Sequence, residues 1–232
     1  MKQTFIIIAT LFLFILTLVL GRYFNAVSQQ ERIQQTQVYV FPMDKTFILP
    51  QEVSKLMPIN DSVYKQIDIA AIEKQLEQNA YIDNAEVYKD LNGRLTAEIS
   101  QYKPIARVIG NKSYYIDYQG NKKPLSDHYT ENVILIFGDI NSNIKKQLIN
   151  LIHQIESDPN LKQIISEVHI NDKQVVIKTD QLSADISIDI LQNIDKQLDK
   201  LKAIYSYLVK TNKTNQYQKI DLRFKNQAVC KK

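Results

Sequence analysis

The sequence predicts an α+β chain with three parts. These are a single N-terminal transmembrane helix, a small β-α-α-β-β module, and a β-rich second domain with two helices. Three observations predict it. One uninterrupted apolar run, Phe5 to Gly21, has no second like it in 232 residues. Behind it the apolar spacing switches repeatedly between period 2 and period 3.6, which separates strands from helices. The chain beyond Gly21 is long enough for two domains of ordinary size.

The run holds only Phe, Ile, Ala, Thr, Leu, Val and a terminal Gly. About 17 residues at 1.5 Å each span roughly 25 Å, enough for a thin or locally thinned hydrocarbon core. Its two Thr hydroxyls can bond back to carbonyls of the preceding turn. Lys2 flanks one end, and Arg22, Tyr23 and Phe24 form a cationic and aromatic collar at the other. A cleaved signal peptide is the rival. The run exceeds the usual apolar region of about 7–15 residues, and no A-x-A-like site comes after it, the nearest being Asn25-Ala26-Val27. The expectation is therefore a retained anchor in the inner (plasma) membrane, single-pass, with residues 1–4 cytoplasmic and the bulk of the chain exported.

Formal net charge is +4, from 29 Lys and Arg against 25 Asp and Glu. The bases are dispersed rather than gathered in a stripe, so nucleic acid is not an expected partner. The single cysteine, Cys230, can form no internal disulfide, so apolar cores must hold the fold.

Residues 22–36 form a polar, Gln-rich stalk. Val38 to Phe41 is a predicted strand ended by Pro42. Pro50 to Leu56 is a short helix with Pro at its first turn, where the missing N–H costs nothing. Asp68 is a predicted N-cap, with Ile67 positioned to staple onto Ile72. Ile69, Ile72, Leu76 and Ala80 give the next helix one apolar face. A hairpin comes next. A three-residue loop, Leu91-Asn92-Gly93, sets Val87 against Ala97 and Ala85 against Ile99, whereas a two-residue turn would mix the faces.

After Pro104 the pattern turns β-rich. Strands are expected at Ile105–Ile109, Ser113–Asp117, Val133–Phe137 (fully apolar and central), Glu167–Ile170, Gln174–Lys178 and Ala184–Asp189. Ile144, Leu148, Leu151, Ile152 and Ile155 mark one helix, closed by Asp158-Pro159-Asn160. Ile194, Leu198, Leu201, Tyr205 and Leu208 mark another. The chain ends in a strand, Tyr217–Phe224, and a last short one at Ala228–Cys230. In the first of these Ile220, Leu222 and Phe224 are expected to face the core, and Lys219, Asp221 and Arg223 to face outward.

Signs of chemistry are few. His128, His153 and His169 lie in different elements, none with a second ligand at metal-binding spacing. No G-x-S-x-G, P-loop, G-x-G-x-x-G or H-E-x-x-H occurs. Five glycines in all provide no phosphate cradle. The expectation is a binding or scaffolding protein rather than an enzyme, with no cofactor, no metal and no small-molecule substrate.

Several segments in order carry a resemblance. They are Asn79-Ala80-Tyr81-Ile82, Ala85-Glu86-Val87, Pro104-Ile105-Ala106-Arg107, Tyr115-Ile116-Asp117 with Gly120, Pro124-Leu125, and Ile220-Asp221-Leu222-Arg223-Phe224. Behind one N-terminal span, this set resembles the bacterial cell division family FtsQ/DivIB, in a form like that of Bacteroidetes. The resemblance implies a POTRA-like domain over 37–103 and a β domain with terminal partner-binding strands over 104–232. It implies a non-enzymatic divisome scaffold at the septum, gathering FtsB- and FtsL-like proteins and the septal peptidoglycan synthase complex. It places partner binding at Lys219, Ile220, Asp221, Leu222, Arg223 and Phe224, with Arg223 pairing to an acidic partner residue. Lys225 to Lys232 does not clearly match the family and carries no implied role. A POTRA-containing secretion or outer-membrane assembly factor is the alternative, although the chain leaves no room for a barrel of many alternating segments.

Overall fold

The structure, a computed structural model, describes residues 2–29, 35–57, 67–89, 94–171 and 174–232, with side chains described for 10–24 but not for 2–9, 25–29 or 35. Helix α1 covers Lys2–Gln29. Every large apolar side chain from Leu11 to Leu20 is at least 42% exposed, so none of them joins a core of the described residues. Thr17 Oγ1 donates to the Phe14 carbonyl at 2.8 Å, the back-bond expected of a hydroxyl in an apolar helix. Among the described residues no helix is long and apolar enough to cross a membrane. The expected span begins at Phe5, and the side chains of 5–9 lie outside the described residues.

The contacts divide the chain into two units, 1–101 and 102–232. In the first, β1 (Gln35–Phe41), α2 (Pro50–Leu56), α3 (Ile69–Leu76), β2 (Ile82–Lys89) and β3 (Arg94–Gln101) occur in the predicted order. The stalk expected over 22–36 is helical to Gln29, and its last two residues already belong to β1. The sheet runs β1-β3-β2, with β1 parallel and β2 antiparallel to the central strand. The hairpin register is the expected one: Val87 faces Ala97 and Ala85 faces Ile99. Its loop, 90–93, lies outside the described residues.

Asp68 caps α3, its carboxylate accepting from the Ala71 N–H at 3.1 Å. Ile72 and Leu76 are buried against Val53, Leu95, Ala97 and Ile99. Ala80 does not extend that face as expected. The helix closes at Leu76, and Ala80 sits exposed in the turn before β2. Glu73 of α3 and the C-cap residue Glu77 reach the edge strand: Glu73 Oε1 accepts from Val87 N–H at 2.8 Å and Glu77 Oε1 from Ala85 N–H at 3.5 Å. These carboxylates occupy donors that a foreign strand would otherwise take. Gln101, 4% exposed, ties the loop after β1 to the sheet. Its Oε1 accepts from the Phe47 and Ile48 N–H groups, and its Nε2 donates to the Phe41 and Lys45 carbonyls.

The second unit is one nine-stranded sheet, β12-β11-β10-β9-β8-β7-β4-β5-β6. Its strands are β4 (Pro104–Ile109), β5 (Tyr114–Asp117), β6 (Lys122–Lys123), β7 (Ile134–Phe137), β8 (Ile165–Asn171), β9 (Gln174–Thr179), β10 (Asp185–Asp189), β11 (Lys219–Asp221) and β12 (Val229–Lys231). The apolar strand β7 is central, parallel to both β4 and β8. Helix α4 (Ser142–Ser157) buries the five predicted residues, and α6 (Ile194–Lys210) buries Leu198, Leu201 and Leu208. They share one core with Val108, Ile136, Val168, Ile177, Ile186 and Ile220.

A third helix, α5 (Pro159–Ile164), corrects the expectation of two. Asp158 does end α4, but its carboxylate then accepts from the N–H groups of Asn160 and Leu161 and starts α5, with Pro159 at the tolerated first position. Gly138, just past β7, has φ +104, and a Cβ there would overlap the Ile170 carbonyl.

Candidate partner-binding edge

The six residues singled out by sequence lie together where the chain leaves the sheet, and the structure corrects their arrangement. The expected strand Tyr217–Phe224 is only Lys219–Asp221. It is not an edge. β11 lies between β10, to which it is parallel, and β12, to which it is antiparallel. The edge is β12, with Lys219 facing Lys231, Ile220 facing Cys230 and Asp221 facing Val229.

Alternation stops with the strand. Ile220 and Leu222 are fully buried as expected, but Phe224 is 47% exposed and Asp221 only 8%. Asp221 is therefore no solvated outward group, and Phe224 is no core residue. Leu222 N–H still donates to the Ser187 carbonyl of β10 at 2.9 Å, and the chain then bends at Phe224, held from a distant helix. Lys200 of α6 donates through Nζ to the Leu222 and Phe224 carbonyls, taking up acceptors the ladder no longer uses. Burial lowers the Lys200 pKa, with nearby Asp221 pulling the other way.

Arg223 turns back on its own chain. Its Nε donates to Asp221 Oδ1 at 2.8 Å, its Nη2 to Oδ2 at 2.5 Å, and its backbone N–H to Oδ1 at 3.1 Å. The hydrogen-bonded guanidinium holds the Asp221 carboxyl below its ordinary pKa against the push of burial. Around the pair stand the exposed Lys219 and Lys225, exposed Lys231 on the edge, and the exposed side chains of Phe224 and Val229. Sequence reasoning singled out Arg223 and pointed neither to Lys200 nor to β12 as the sheet edge. Ala228-Val229-Cys230 is too short a run to mark an edge, and no local pattern ties Lys200 to carbonyls more than twenty residues away.

Two of the three histidines stack on neighbouring aromatic rings. His153 stacks on Tyr118 with ring centroids 4.2 Å apart, its Nε2 2.8 Å from the Tyr118 carbonyl. His169 stacks on Phe137 and sits 2.6 Å from Glu167 Oε2. A cleft of about 450 Å³ is lined by residues including Arg107, Glu131, Glu156 and Lys162, with neither His nor Cys among its walls. No group of acids, histidines or cysteines that could hold a metal occurs among the described residues.

The chain thus joins a three-stranded sheet backed by two helices to a domain with a nine-stranded mixed sheet. A family model described as "FtsQ/DivIB, C-terminal related" matches residues 103–231, and a POTRA-like domain model matches residues 42–100. The chain belongs to the FtsQ/DivIB family. It is 24% identical over 177 residues to the cell division protein FtsQ of Geotalea daltonii (strain DSM 22248 / JCM 15807 / FRC-32). That match covers 71% of this chain and 63% of the relative's length. A solved structure, the major extracytoplasmic domain of the trans isomer of the cell division protein DivIB from Geobacillus stearothermophilus, is 13% identical with a TM-score of 0.31. It covers 39% of this chain and 81% of that one.

Proposed function

We propose that the chain is a non-enzymatic scaffold of the bacterial divisome, anchored in the inner membrane by α1, with its two domains outside that membrane. It acts at the septum by gathering FtsB- and FtsL-like partners and, through them, the septal peptidoglycan synthase complex. Family membership supports the division role. The membrane role is supported by α1, whose side chains from Leu11 to Leu20 are apolar apart from Thr17 and stand exposed on all sides, a surface that lipid satisfies.

The observation that carries the reading is the terminal edge. A three-residue strand closes a nine-stranded sheet and presents its outer backbone groups beside Lys219, Arg223, Phe224 and Lys231. An incoming strand adds there by main-chain hydrogen bonds, and flanking cations favour an acidic one. Asp221 occupies the Nε/Nη2 side of the Arg223 guanidinium, and a partner carboxylate would approach its other donors.

The test is depletion joined to capture. Depleting the protein should give filaments or chained cells that continue to grow in mass. Full-length protein lacking residues 228–232 should fail to recover the partners from solubilised membranes. Cells that divide normally but accumulate misassembled outer-membrane proteins would transfer the case to a secretion or assembly factor.

A further inference from the structure

We infer that the uncovered face of the small β1-β3-β2 sheet is a docking surface for a lysine- or arginine-bearing amphipathic segment of a partner protein. The helices α2 and α3 cover the opposite face, where Val40, Leu95, Ala97 and Ile99 are buried. The register assigns nine positions of the outer face to three rows, with a fourth row of Gln35 and Arg94 at the end of the sheet. The three rows are Phe41, Ser100 and Asn84; Tyr39, Glu98 and Glu86; and Gln37, Thr96 and Tyr88. These nine include two glutamates and no Lys or Arg; the base that the register places on this face is Arg94, one row beyond Thr96 at the end of the strand.

Glu86 and Glu98 stand directly opposite each other in the ladder. Like charges so placed lower sheet stability. Three aromatic rings frame them: Tyr39 and Phe41, each 39% exposed, on β1, and Tyr88, 47% exposed, on β2. The Tyr88 hydroxyl donates to Glu98 Oε1 at 2.8 Å, which fixes one carboxylate at the centre of the face. Paired carboxylates between exposed tyrosine faces suit an ammonium or guanidinium twice over, by ion pairing and by cation–π contact. Phe41 and the edge of Tyr39 offer apolar area to the same segment. The acidic central row disfavours an anionic lipid surface. Docking here is independent of the division role, and peptide binding reads neither septation nor the β12 edge.

The probe is a fluorescein-labelled peptide alternating lysine and leucine, titrated by anisotropy into the full chain in non-ionic detergent, with a glutamate–leucine peptide as its counterpart. The lysine peptide should bind and the acidic one should not. The double variant Glu86→Gln, Glu98→Gln should bind at least ten-fold more weakly with an unchanged or higher Tm, since it removes the opposed charges. Glu86→Lys should raise Tm by creating a cross-strand pair with Glu98 and should lose binding as well. Unchanged affinity in the double variant, equal binding of the acidic peptide, or no binding of the lysine peptide by the wild-type chain would each overturn the inference.

Discussion

Arg223 and Asp221 form a two-point ion pair, with Nε–Oδ1 at 2.8 Å and Nη2–Oδ2 at 2.5 Å, at the end of β11. The side chains retain 30% and 12% of their exposure. The pair compensates a carboxylate that its place in β11 leaves only 8% exposed, next to buried Leu222. It also sets the direction in which the guanidinium points relative to β12. One residue thus belongs both to the fold and to the proposed interface.

Arg223→Glu is therefore expected to do two things. It places a second carboxylate against Asp221, so the domain should lose on the order of 1–3 kcal/mol, read as a lower urea midpoint. Partner affinity should fall further, by about 2–5 kcal/mol if the contact is desolvated. The double variant Asp221→Asn, Arg223→Gln separates the two. It should recover most of the stability while binding stays weak. Recovery of binding as well would place the interface elsewhere.

Acid should weaken this corner. The folded Asp221 pKa is depressed, so its contribution is fully present above the unfolded value of about 3.9 and is lost as pH falls through the folded value. Urea midpoints taken at pH 6 and pH 3 should differ less for Asp221→Asn than for the wild-type chain. An identical acid loss in both would remove Asp221 from the account.

Gly138→Ala should be costly for a one-carbon change. Its φ of +104 is a region that L side chains rarely adopt, and the new Cβ would meet the Ile170 backbone rather than a side chain able to swing away. A loss of about 2–4 kcal/mol is expected from strain and overlap together. Ile170→Val, which leaves the backbone obstacle in place, should not rescue it. Restored thermal stability in that double variant would refute the backbone explanation.

Gln101→Leu tests the tie between the 41–48 loop and the first sheet. The amide serves the N–H groups of Phe47 and Ile48 and the carbonyls of Phe41 and Lys45. Leucine has nearly the same volume and answers none of them. Each buried group left unmet costs about 1–3 kcal/mol, partly recovered where water enters. The 41–48 amides should exchange with solvent markedly faster, while exchange within β3 changes little. Equal protection in both chains would mean the loop is held by Phe47 and Ile48 packing alone.

Periodicity and local chemistry determined much of this protein from the sequence alone. The order β-α-α-β-β, the Asp68 cap, the helix faces of α4 and α6, the central place of Ile134–Phe137 and the Val87–Ala97 register all rest on contacts near in sequence or on a strict alternation of faces. Each such signal is written within a few residues of where it acts.

Tertiary structure alone decided the rest. Alternation through Phe224 predicted one long terminal strand, but Lys200 takes the Leu222 and Phe224 carbonyls, the chain bends, and Asp221 becomes the buried partner of Arg223. β12 becomes the edge because β11 inserts parallel to β10, a pairing between segments separated by the whole of α6. The Glu86–Glu98 pair follows from the hairpin register, but Tyr39 comes beside Glu98 only once β1 pairs in parallel with β3. Strand pairing across long loops depends on which cores close together, and no local pattern of residues encodes that choice.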